Sequence, residues 1–454
     1  MPTKPTITLI GSGLAGPLLA IELKERGYTV QLFERRPDMR RVAISAGRSI
    51  NLALSTRGIY ALEQAGLWQE MQKIIVPMKG RMMHSLAGVL TFQRYGKDDS
   101  EVINSISRAE LNIALMSAAE ERGVQIEFNQ CCTGYDVRSG NVSLRNEETG
   151  KERDIATEVV VATDGSASAI RTEMLKSPRF NFSQQYLDYG YKELTIPAGP
   201  GGEHLLEPNA LHIWPRGSFM VIALPNIDGT FACILFLPFE GANSFASLDS
   251  EQKVLAFFEK QFPDALRLMP HFLDNFSSNP VGAMVTIKCS PWHQDDRALL
   301  LGDAAHAIVP FFGQGLNCAF EDISIFLELI DRGGRDWPKV FTEFEHARKE
   351  NTDAIADLAV ENFIEMRDRV ADPRFLFRKK VELALEARYP NLFIPKYAMV
   401  TFHRLPYSLA AARGRVQDRM LTELCEGIDH IEDLDWKKAD ALIHRELAPL
   451  EIAR

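Results

Sequence analysis

The first hydrophobic pattern in the chain is a short apolar run, residues 7–10, that ends at Gly11. An unbroken run of this length is typical of a buried parallel strand. Apolar residues then recur at helical spacing from Leu14 to Leu23, Gly27 ends that helix, and residues 29–33 form a second apolar run. The pattern predicts a strand–helix–strand unit with glycines in its first turn.

This first turn carries the dinucleotide fingerprint Gly-x-Gly-x-x-Gly. Its glycines permit a tight turn, a close approach of the backbone to a pyrophosphate, and close packing of helix on strand. Glu34 follows the second strand, where a carboxylate can accept hydrogen bonds from ribose hydroxyls. The fingerprint alone leaves the choice between FAD and NAD open. The residues expected at the dinucleotide are Gly11, Gly13, Leu14, Ala15, Gly16, Glu34 and Arg35.

Two later motifs repeat the arrangement of an apolar strand followed by a carboxylate. Residues 158–163 lead to Asp164-Gly165, and residues 299–301 lead to Gly302-Asp303. Asp303 suits a polyhydroxyl chain, which the ribityl arm of FAD provides and NAD lacks. A helix then begins within 313–317, and its first N–H groups suit the flavin pyrimidine. Together the motifs predict FAD, with Asp164, Gly165, Asp303, Gly315, Leu316 and Asn317 as further cofactor residues.

The remaining pattern divides the chain of 454 residues into three parts. We expect an α/β protein (α+β overall) with a Rossmann-like FAD-binding domain, a β-sheet substrate domain and a C-terminal helical region. The helices of the last part would cover the active site, pack against the sheet or form a homodimer contact. The boundaries are 1–75, 97–180 and 283–330 for the FAD domain, 76–96 and 181–282 for the substrate domain, and 331–454 for the helical region.

Composition excludes several classes of protein. The net charge of −10 argues against a nucleic-acid surface. We find no leader peptide and no apolar stretch near the length of about 18 residues that crosses a bilayer, which predicts a cytoplasmic protein without a membrane partner. The adjacent Cys131 and Cys132 are either a redox pair or two reduced thiols, and the strain of a vicinal bridge favours reduced thiols.

The chain also lacks the sequence signatures of several other catalytic sites. No set of residues has metal-ligand spacing, and neither a Walker motif nor a Gly-x-Ser-x-Gly elbow is present. This fits a flavin that carries the chemistry while the protein supplies position and electrostatics. Since no second Gly-x-Gly-x-x-Gly occurs, a pyridine nucleotide would bind transiently in a groove.

Several longer segments carry a resemblance to a known family. With the motifs above, the chain resembles the FAD-dependent aromatic hydroxylases of the para-hydroxybenzoate hydroxylase type, and within them the members that act on L-kynurenine. The resemblance implies an NADPH-dependent enzyme of tryptophan degradation and NAD biosynthesis, which uses O2 through a flavin hydroperoxide to form 3-hydroxykynurenine. The matching segments are 47–54, 206–209, 211–215, 222–226, 302–315, 362–366 and 397–402.

The resemblance also implies roles for individual residues. The substrate carboxylate would be held by Arg81 and Tyr95, assisted by Asn362 and Tyr397, with Glu365 in the surrounding network. An arginine suits this role because its planar guanidinium binds a carboxylate through two parallel hydrogen bonds. No side chain is assigned to catalysis, because the aniline nitrogen of the substrate itself activates the ring. Further implied contacts are Arg108 at the dinucleotide, Leu211, Ile222, Leu224 and Phe236 around the aromatic ring, and Pro310 and Phe311 near the flavin edge.

Some features leave alternatives open. Phe312 stands where some members of the family have histidine, and the charged end of the chain lacks the apolar segment of membrane-bound relatives. His306 is either an acid–base group or a packed histidine beside the Gly302 turn. Two other functions remain: a related hydroxylase of another aromatic acid, and a non-catalytic redox-sensing flavoprotein. Substrate-stimulated oxidation of NADPH separates all three.

Overall fold

The computed structural model describes residues 6–42, 51–369 and 372–451, so the matched segment 47–54 is described only from Asn51 onward. In chain order its strands are β1 (Thr6–Ile10), β2 (Thr29–Phe33), β3 (Asn51–Leu54), β4 (Ile75–Met78), β5 (Gly80–His84), β6 (Leu90–Arg94), β7 (Ile103–Ser107), β8 (Gln125–Glu127), β9 (Gln130–Tyr135), β10 (Asn141–Asn146), β11 (Glu152–Ala156), β12 (Val159–Ala162), β13 (Asn181–Ile196), β14 (Ala210–Pro215), β15 (Met220–Pro225), β16 (Phe231–Pro238), β17 (Gly282–Ser290), β18 (His293–Gln294) and β19 (Ala298–Leu300).

Its α-helices are α1 (Ala15–Glu25), α2 (Thr56–Gln64), α3 (Trp68–Met71), α4 (Arg108–Glu121), α5 (Ala169–Met174), α6 (Glu251–Gln261), α7 (Pro263–Leu266), α8 (Phe272–Ser278), α9 (Asp303–His306), α10 (Gly315–Gly333), α11 (Trp337–Ile364), α12 (Pro373–Arg388), α13 (Lys396–Thr401), α14 (Tyr407–Leu424) and α15 (Trp436–Glu446). A 3₁₀ helix at Pro310–Phe312 and a π-helical turn at Glu365–Arg369 lie next to the site described below.

The predicted strand–helix–strand unit lies within a six-stranded sheet. The strand order is β18-β19-β12-β1-β2-β8, and every neighbouring pair is parallel except β18 with β19. β12 is buried along its whole length and β1 from its second residue onward. Burial on both faces explains why these strands are continuous apolar runs. Because the carboxyl ends of β1, β12 and β19 meet at one edge, the three motifs are brought together.

A seven-stranded sheet has the order β17-β13-β16-β15-β14-β5-β6. β5 is parallel to β14, with Arg81 opposite Leu211, and β14, β15 and β16 continue as antiparallel neighbours. Successive side chains of a strand face opposite sides of a sheet. This sheet therefore contributes to two cores: Ile213 packs with the carboxyl-terminal helices, and Trp214 packs with the helices of residues 251–278.

Two smaller sheets complete the strands of the described chain, with the orders β11-β10-β9 and β3-β7-β4. The second of them leads through Ser55 directly into α2, which packs against α10. This connection matters below, because α10 begins at the third motif.

The chain beyond Trp337 is helical, as its apolar spacing predicts. Asp336 caps α11 by accepting a hydrogen bond from the Lys339 N–H, and Pro338 lies in the first turn. Helices α11, α13 and α14 contribute to the core on one face of the seven-stranded sheet. The predicted fold class is confirmed: an α/β nucleotide-binding sheet, a second sheet and a C-terminal helical region.

Two further features concern membrane insertion and the state of the cysteines. Within the described ranges, no helix is both long and apolar enough to span a lipid bilayer. The six cysteines are all free thiols. Burial raises the pKa of Cys132 to about 12 and also raises that of Cys131, so both sulfurs are protonated at neutral pH.

Candidate active site

The turn after β1 has the geometry that the fingerprint predicts. Gly11 has a φ of +99°, and a Cβ there would lie 2.6 Å from the carbonyl oxygen of Thr163. A Cβ on Gly16 would lie 2.1 Å from the carbonyl oxygen of Gly11, so α1 packs on the turn only because this residue is glycine. Gly13 differs, since no atom of the described chain lies within 4 Å of its Cβ position. Gly11 and Gly16 serve the turn, whereas Gly13 borders open space.

The amino end of α1 faces the same turn. Leu14 and Ala15 are half-buried, and no side chain of the described residues caps this helix end. Its first N–H groups are therefore available to an anion. The buried Ser12 hydroxyl also has no hydrogen-bond partner among the described residues. Both features suit a bound pyrophosphate.

Glu34 is fixed against this turn from the end of β2. One carboxylate oxygen accepts a 2.7 Å hydrogen bond from the Ser12 N–H, and the other accepts from the backbone and the guanidinium of Arg36. Glu34 is buried, whereas the neighbouring Arg35 is exposed. The carboxylate that the sequence assigns to the ribose is thus immobilised beside the glycines.

Asp164 follows β12 at the same sheet edge. Its Oδ2 accepts a 2.8 Å hydrogen bond from the Ala169 N–H, while Oδ1 is buried and has no partner in the described part of the chain. Burial raises the pKa of this carboxyl, against the opposing hydrogen bonds from Ser168 and Ala169. Gly165 borders open space, since its Cβ position meets no described atom within 4 Å. An orphaned acceptor beside open space indicates a place for a ligand donor.

Asp303 is the first residue of α9, at the end of β19. It is accessible to solvent, although protein atoms crowd it from several sides. This crowding raises the pKa of its carboxyl, while the positive charges of Arg108 and His306 act in the opposite direction. Arg108 is the exposed first residue of α4. The fold thus brings two predicted cofactor residues from distant parts of the sequence into electrostatic contact.

The first turn of α10 contains Gly315, Leu316 and Asn317. The Asn317 side chain is fully buried; its amide accepts from the Ser55 N–H at 2.9 Å and donates to two backbone carbonyls. The Asn317 side chain is therefore fully occupied by partners within the protein, and its backbone N–H in the first turn of α10 has no side-chain partner among the described residues. No side chain within the described ranges caps this helix, so its N–H groups suit the negative charge of a reduced flavin ring.

Arg81, Tyr95 and Tyr397 form one cluster at the far end of the site. The two phenol rings stack at 5.7 Å with an interplanar angle of 11°, and the guanidinium lies 5.4 Å from the Tyr95 ring and 5.0 Å from the Tyr397 ring. Arg81 donates hydrogen bonds to both hydroxyls, and its buried Nε has no partner among the described residues. The structure therefore brings together the three residues that the sequence predicts at the substrate carboxylate.

Both tyrosines of this cluster remain hydrogen-bond donors at neutral pH. Burial raises the pKa of Tyr95 and that of Tyr397, while Arg81 acts in the opposite direction. Because each hydroxyl oxygen accepts from Arg81, its own hydrogen is free to point elsewhere. The cluster thus presents one cation and two O–H donors, which is the chemistry that a carboxylate requires.

Apolar side chains pack next to this cluster. Strand alternation places Leu211, Ile222, Leu224 and Phe236 in the core that the sheet shares with the carboxyl-terminal helices. Phe311 joins this wall: its ring lies 4.9 Å from Phe236 and stacks at 4.1 Å on Phe363. Phe312 stacks on Tyr397 at 5.3 Å, and Pro310 is exposed at the start of the 3₁₀ helix. Phe312 therefore packs on a predicted substrate residue and offers no polar group there.

Asn362 and Glu365, at the carboxyl end of α11 and in the π-helical turn after it, also lie near this cluster. The Asn362 amide donates a 2.6 Å hydrogen bond to the Phe311 carbonyl, and Glu365 is close enough to contribute to the raised pKa of Tyr397. Both residues line a groove of about 590 Å³ between α11 and α14, together with Phe312. Glu365 also begins the π-helical turn, a distortion that is frequent at functional sites.

Sequence reasoning missed Lys379 on α12. Its ammonium donates a 2.8 Å hydrogen bond to Glu382 and interacts electrostatically with both Glu365 and Arg81. The i,i+3 spacing of Lys379 and Glu382 is a signal of helix pairing only. Nothing in the local sequence connects this lysine with β5, because the contact depends on how the carboxyl-terminal helices pack.

The alternatives for His306 are decided by its surroundings. It is fully buried, and its Nε2 lies 2.6 Å from Asp322 Oδ2. Burial lowers the pKa of His306, but the charge of Asp322 more than offsets this and raises it to about 10. His306 is therefore a packed, ion-paired histidine.

The structure also brings His306, Cys318 and Asp322 within metal-ligand distance of one another, which the spacing does not predict. Arg348 already donates to Asp322 at 2.7 Å and to the Cys318 sulfur at 3.3 Å. A divalent cation would have to displace this buried guanidinium. The group is accordingly described as an ion-pair network.

Two buried histidines, His84 of β5 and His212 of β14, form a pair. His84 joins Asp264 at 3.0 Å and His212 at 2.8 Å, and His212 in turn joins the Glu207 carbonyl at 2.9 Å. Despite burial, the hydrogen bonds from His84 and Trp214 lower the pKa of Asp264 to about 2. These residues lie on the reverse face of the strands that carry Arg81 and Leu211.

Residues 4–330 of the chain match the model of the FAD binding domain family, which confirms FAD as the expected cofactor class. The described fold also resembles solved structures. It matches 2-methyl-3-hydroxypyridine-5-carboxylic acid oxygenase with a TM-score of 0.65 at 20% identity, over 82% of this chain and 95% of that one. It matches the tetracycline destructase Tet(51) with a TM-score of 0.60 at 19% identity, over 85% and 96% of the two chains. At these identities the likeness shows a common fold.

Curated relatives match over nearly the whole length. The kynurenine 3-monooxygenase of Myxococcus xanthus is 54% identical over 447 residues, covering 98% of this chain and 96% of that protein. The enzymes of the same name from Xanthomonas oryzae and Flavobacterium johnsoniae are 45% and 44% identical, covering 99% and 96% of this chain and the same shares of theirs. The chain belongs to the kynurenine 3-monooxygenase family of FAD-binding proteins.

Proposed function

We propose that this protein hydroxylates L-kynurenine to 3-hydroxykynurenine, with bound FAD, NADPH and O2. The observation that carries the proposal is the cluster of Arg81, Tyr95 and Tyr397 beside an apolar core, in a chain of this family. L-kynurenine has the matching parts: an α-carboxylate and an aromatic ring that bears an amino group. In this proposal the chain acts in tryptophan degradation.

The residues present fit FAD. Gly13 and Gly165 border open space, and Ser12 Oγ and Asp164 Oδ1 are buried polar atoms that no described residue satisfies. A ligand with phosphates and hydroxyls would supply partners for both atoms. In this proposal the cofactor is held by Gly11, Gly13, Leu14, Ala15 and Gly16 at the pyrophosphate, Glu34 and Arg35 at the adenosine ribose, Arg108, Asp164, Gly165 and Asp303 along the linking chain, and Gly315, Leu316 and Asn317 at the ring.

The chemistry that FAD supplies when bound is acceptance of a hydride from NADPH and activation of O2. The protein's part is to bind and orient the substrate. Arg81 receives the carboxylate, and the hydroxyls of Tyr95 and Tyr397 donate to it. Asn362 holds the Phe311 carbonyl and so fixes the aromatic wall, while Glu365 shapes the field around Arg81.

The apolar wall contributes by excluding water. Leu211, Ile222, Leu224 and Phe236 present hydrocarbon to the substrate ring, with Phe311 and Pro310 at the proposed flavin edge. Excluding water from such a site would suppress side reactions in which oxygen is activated without reaching the substrate. Because the aniline nitrogen donates electrons to the neighbouring ring carbon, no strong base of the protein is required.

We also propose the three-part division of the chain: 1–75, 97–180 and 283–330 for FAD, 76–96 and 181–282 for the substrate, and 331–454 as the carboxyl-terminal helices. The strands β5, β6 and β13 to β16 of the seven-stranded sheet support the second unit, while the edge strand β17 of the same sheet lies almost entirely in the range given to the FAD unit. A homodimer and a cytoplasmic location belong to the same proposal. Sedimentation of the purified protein tests the first, and fractionation of the source cells tests the second.

The experiment that tests the function uses purified holoenzyme. Oxidation of NADPH is followed with and without L-kynurenine, while mass spectrometry measures 3-hydroxykynurenine. Stimulated oxidation with one product molecule per NADPH supports the proposal. Stimulation by another aromatic acid, with none by L-kynurenine, would overturn the substrate assignment. Bound FAD without stimulation by any aromatic acid would point to a non-catalytic flavoprotein.

A further inference from the structure

Arg57 is an arginine that the sequence does not single out, yet its side chain is fully buried. It is the second residue of α2, just after β3. Burying a guanidinium is costly unless its donors are paired in good geometry. The groups that Arg57 contacts therefore indicate what its position achieves.

On one side, Arg57 contacts the segment that carries a predicted substrate residue. Its two terminal nitrogens donate to the backbone carbonyls of Val400 and Leu405, and its guanidinium lies 3.9 Å from the centre of the Tyr407 ring. Val400 is on α13, the same short helix as Tyr397. Arg57 thus holds the end of the helix that presents Tyr397.

On the other side, Arg57 contacts the helix that begins at the third motif. Its Nε donates a 2.9 Å hydrogen bond to Glu321 of α10. The residue two before it, Ser55, donates its N–H to Asn317 at 2.9 Å. Tyr407 also donates its hydroxyl to Gln314, the residue before α10, at 2.9 Å. The start of α2 is therefore joined to the proposed flavin-facing end of α10.

The ion pairs continue from Glu321 to the turn of Asp303. Arg348 donates to Glu321 at 2.6 Å and to Asp322 at 2.7 Å. Asp322 accepts from His306 at 2.6 Å and from the Gly302 N–H at 3.1 Å. Because Gly302 precedes α9, this unbroken buried chain runs from the backbone of α13 to the residue next to Asp303.

We propose that Arg57 is a positioning residue that couples the two ligand sites, so that ordering the flavin-facing ends of α9 and α10 also orders Tyr397 of α13. The inference rests on the proposed function, because it assumes that FAD and L-kynurenine occupy those sites. It goes beyond that function, because it predicts that each ligand strengthens the binding of the other. Such linkage is reciprocal in equilibrium binding.

The fork shape of the side chain is essential to this role. Arg57 reaches two carbonyls and one carboxylate at once, which a lysine ammonium on a flexible stem cannot do. We expect Arg57→Lys to keep the charge next to Glu321 while it loosens Val400 and Leu405. Arg57→Gln removes the charge as well.

The test uses holoenzyme without NADPH, so that no turnover occurs. After dilution, the rise in free-flavin fluorescence gives the rate at which FAD leaves, with and without saturating L-kynurenine. L-kynurenine binding is measured on the same samples by calorimetry. For the wild type we expect L-kynurenine to slow FAD release about fivefold or more, within the usual range of such couplings. For Arg57→Lys we expect the ratio of the two release rates to approach one.

The matched control is Arg413→Lys. Arg413 is also buried and also donates to two backbone carbonyls, those of Leu392 and Ala448, but it makes none of the contacts to α2 or α10 described above. We expect this variant to lower the melting temperature while it retains the full effect of L-kynurenine on FAD release. A merely structural role for Arg57 would make both variants behave alike.

The outcomes separate this inference from the proposed function. If the wild type binds L-kynurenine but FAD release does not change, or if Arg57→Lys retains the full ratio, the coupling is overturned and the function stands. If the wild type binds no L-kynurenine, both fail together. Should Arg57→Gln not accumulate as folded protein, Arg57→Lys and Tyr407→Phe carry the test, since the latter removes only the hydroxyl bonded to Gln314.

Discussion

Tyr95 and Tyr397 stack almost in parallel, with 5.7 Å between their ring centres, although they come from opposite parts of the chain. Tyr95 follows β6 of the seven-stranded sheet, and Tyr397 lies on α13. Each hydroxyl accepts a hydrogen bond from Arg81. The pair therefore joins the sheet to the carboxyl-terminal helices at the point where a substrate carboxylate would bind.

Arg81→Met should weaken L-kynurenine binding while FAD stays bound. A charge-assisted hydrogen bond contributes about 1.5–3 kcal/mol, so we expect KM to rise roughly 10- to 150-fold. Steady-state kinetics give KM, and the flavin absorbance of the purified variant gives the FAD content.

Two further variants sharpen this prediction. Tyr95→Phe removes one neutral donor, and we expect a rise in KM of about tenfold or less. Arg94→Met on the neighbouring strand removes an exposed arginine that pairs with Asp99, and it should leave KM unchanged. Unaltered L-kynurenine affinity in Arg81→Met would remove Arg81 from the carboxylate site.

Gly13 and Gly16 should respond differently to the same substitution. A Cβ on Gly16 would overlap the Gly11 carbonyl at 2.1 Å, so Gly16→Ala should destabilise the protein by about 1–3 kcal/mol even without FAD. A Cβ on Gly13 meets no described atom, so Gly13→Ala should leave the apoprotein intact and weaken FAD binding. Melting curves of the apoprotein and FAD titrations separate the two effects. Equal loss of apoprotein stability in both variants would contradict the assignment of Gly13 to the pyrophosphate.

The flavin side of the molecule was largely predictable from sequence because its constraints are local. Gly11, Glu34 and Asp164 each follow a short buried strand, and the ends of parallel strands necessarily meet at one edge. Turn geometry and strand burial leave signatures within a few residues. The same reasoning predicted the helix that starts at Gly315.

The proposed substrate site and its surroundings depend on packing between distant segments, which the local sequence does not encode. Lys379 and Arg57 are ordinary charged residues on amphipathic helices until α12, α13 and α2 pack against their neighbours. His84 and His212 become a pair only because β5 lies parallel to β14. Arg81 itself was placed at the substrate through a family resemblance, since an arginine between Gly80 and Met82 is equally typical of a surface.

Asp303→Asn should release FAD more readily. The carboxylate is open to solvent and electrostatically coupled to Arg108, so replacing it with an amide weakens hydrogen bonds to the hydroxyls of a bound ligand. We expect the affinity for FAD to fall about tenfold, since hydrogen bonds to charged groups contribute about 1.5–3 kcal/mol. Fluorescence titration of the apoprotein with FAD measures this. Asp296→Asn, at an exposed turn, is the matched control, and full FAD occupancy of Asp303→Asn would exclude the ribityl role.

The hydrogen-bonded pair of His84 and His212 makes the stability of the seven-stranded sheet at acid pH depend on His212. A carbonyl oxygen can only accept, so His212 must donate its Nε2–H to Glu207 and accept at Nδ1 from His84. His212 is therefore a neutral imidazole that is hydrogen-bonded at both nitrogens.

Burial lowers the pKa of His212 from 6.5 to about 4. Between pH 6.5 and pH 4 the His212 imidazole is protonated in the unfolded chain and neutral in the folded protein. The stability from neutral His212 is therefore complete above pH 6.5 and is lost as the pH falls toward 4. At about 1.4 kcal/mol per pKa unit, the loss is about 3 kcal/mol.

His212→Gln should flatten this pH dependence, because glutamine does not titrate. We expect the variant to be less stable than the wild type at pH 8, yet to lose less of its melting temperature between pH 6.5 and 4.5. The control is His444→Gln, whose histidine is 59% exposed and should leave the wild-type slope intact. The same slope in His212→Gln as in the wild type would show that another group causes the acid sensitivity. A ¹⁵N spectrum of the histidine rings then provides the direct check, with His212 neutral at pH 7 and protonated only as the pH approaches 4.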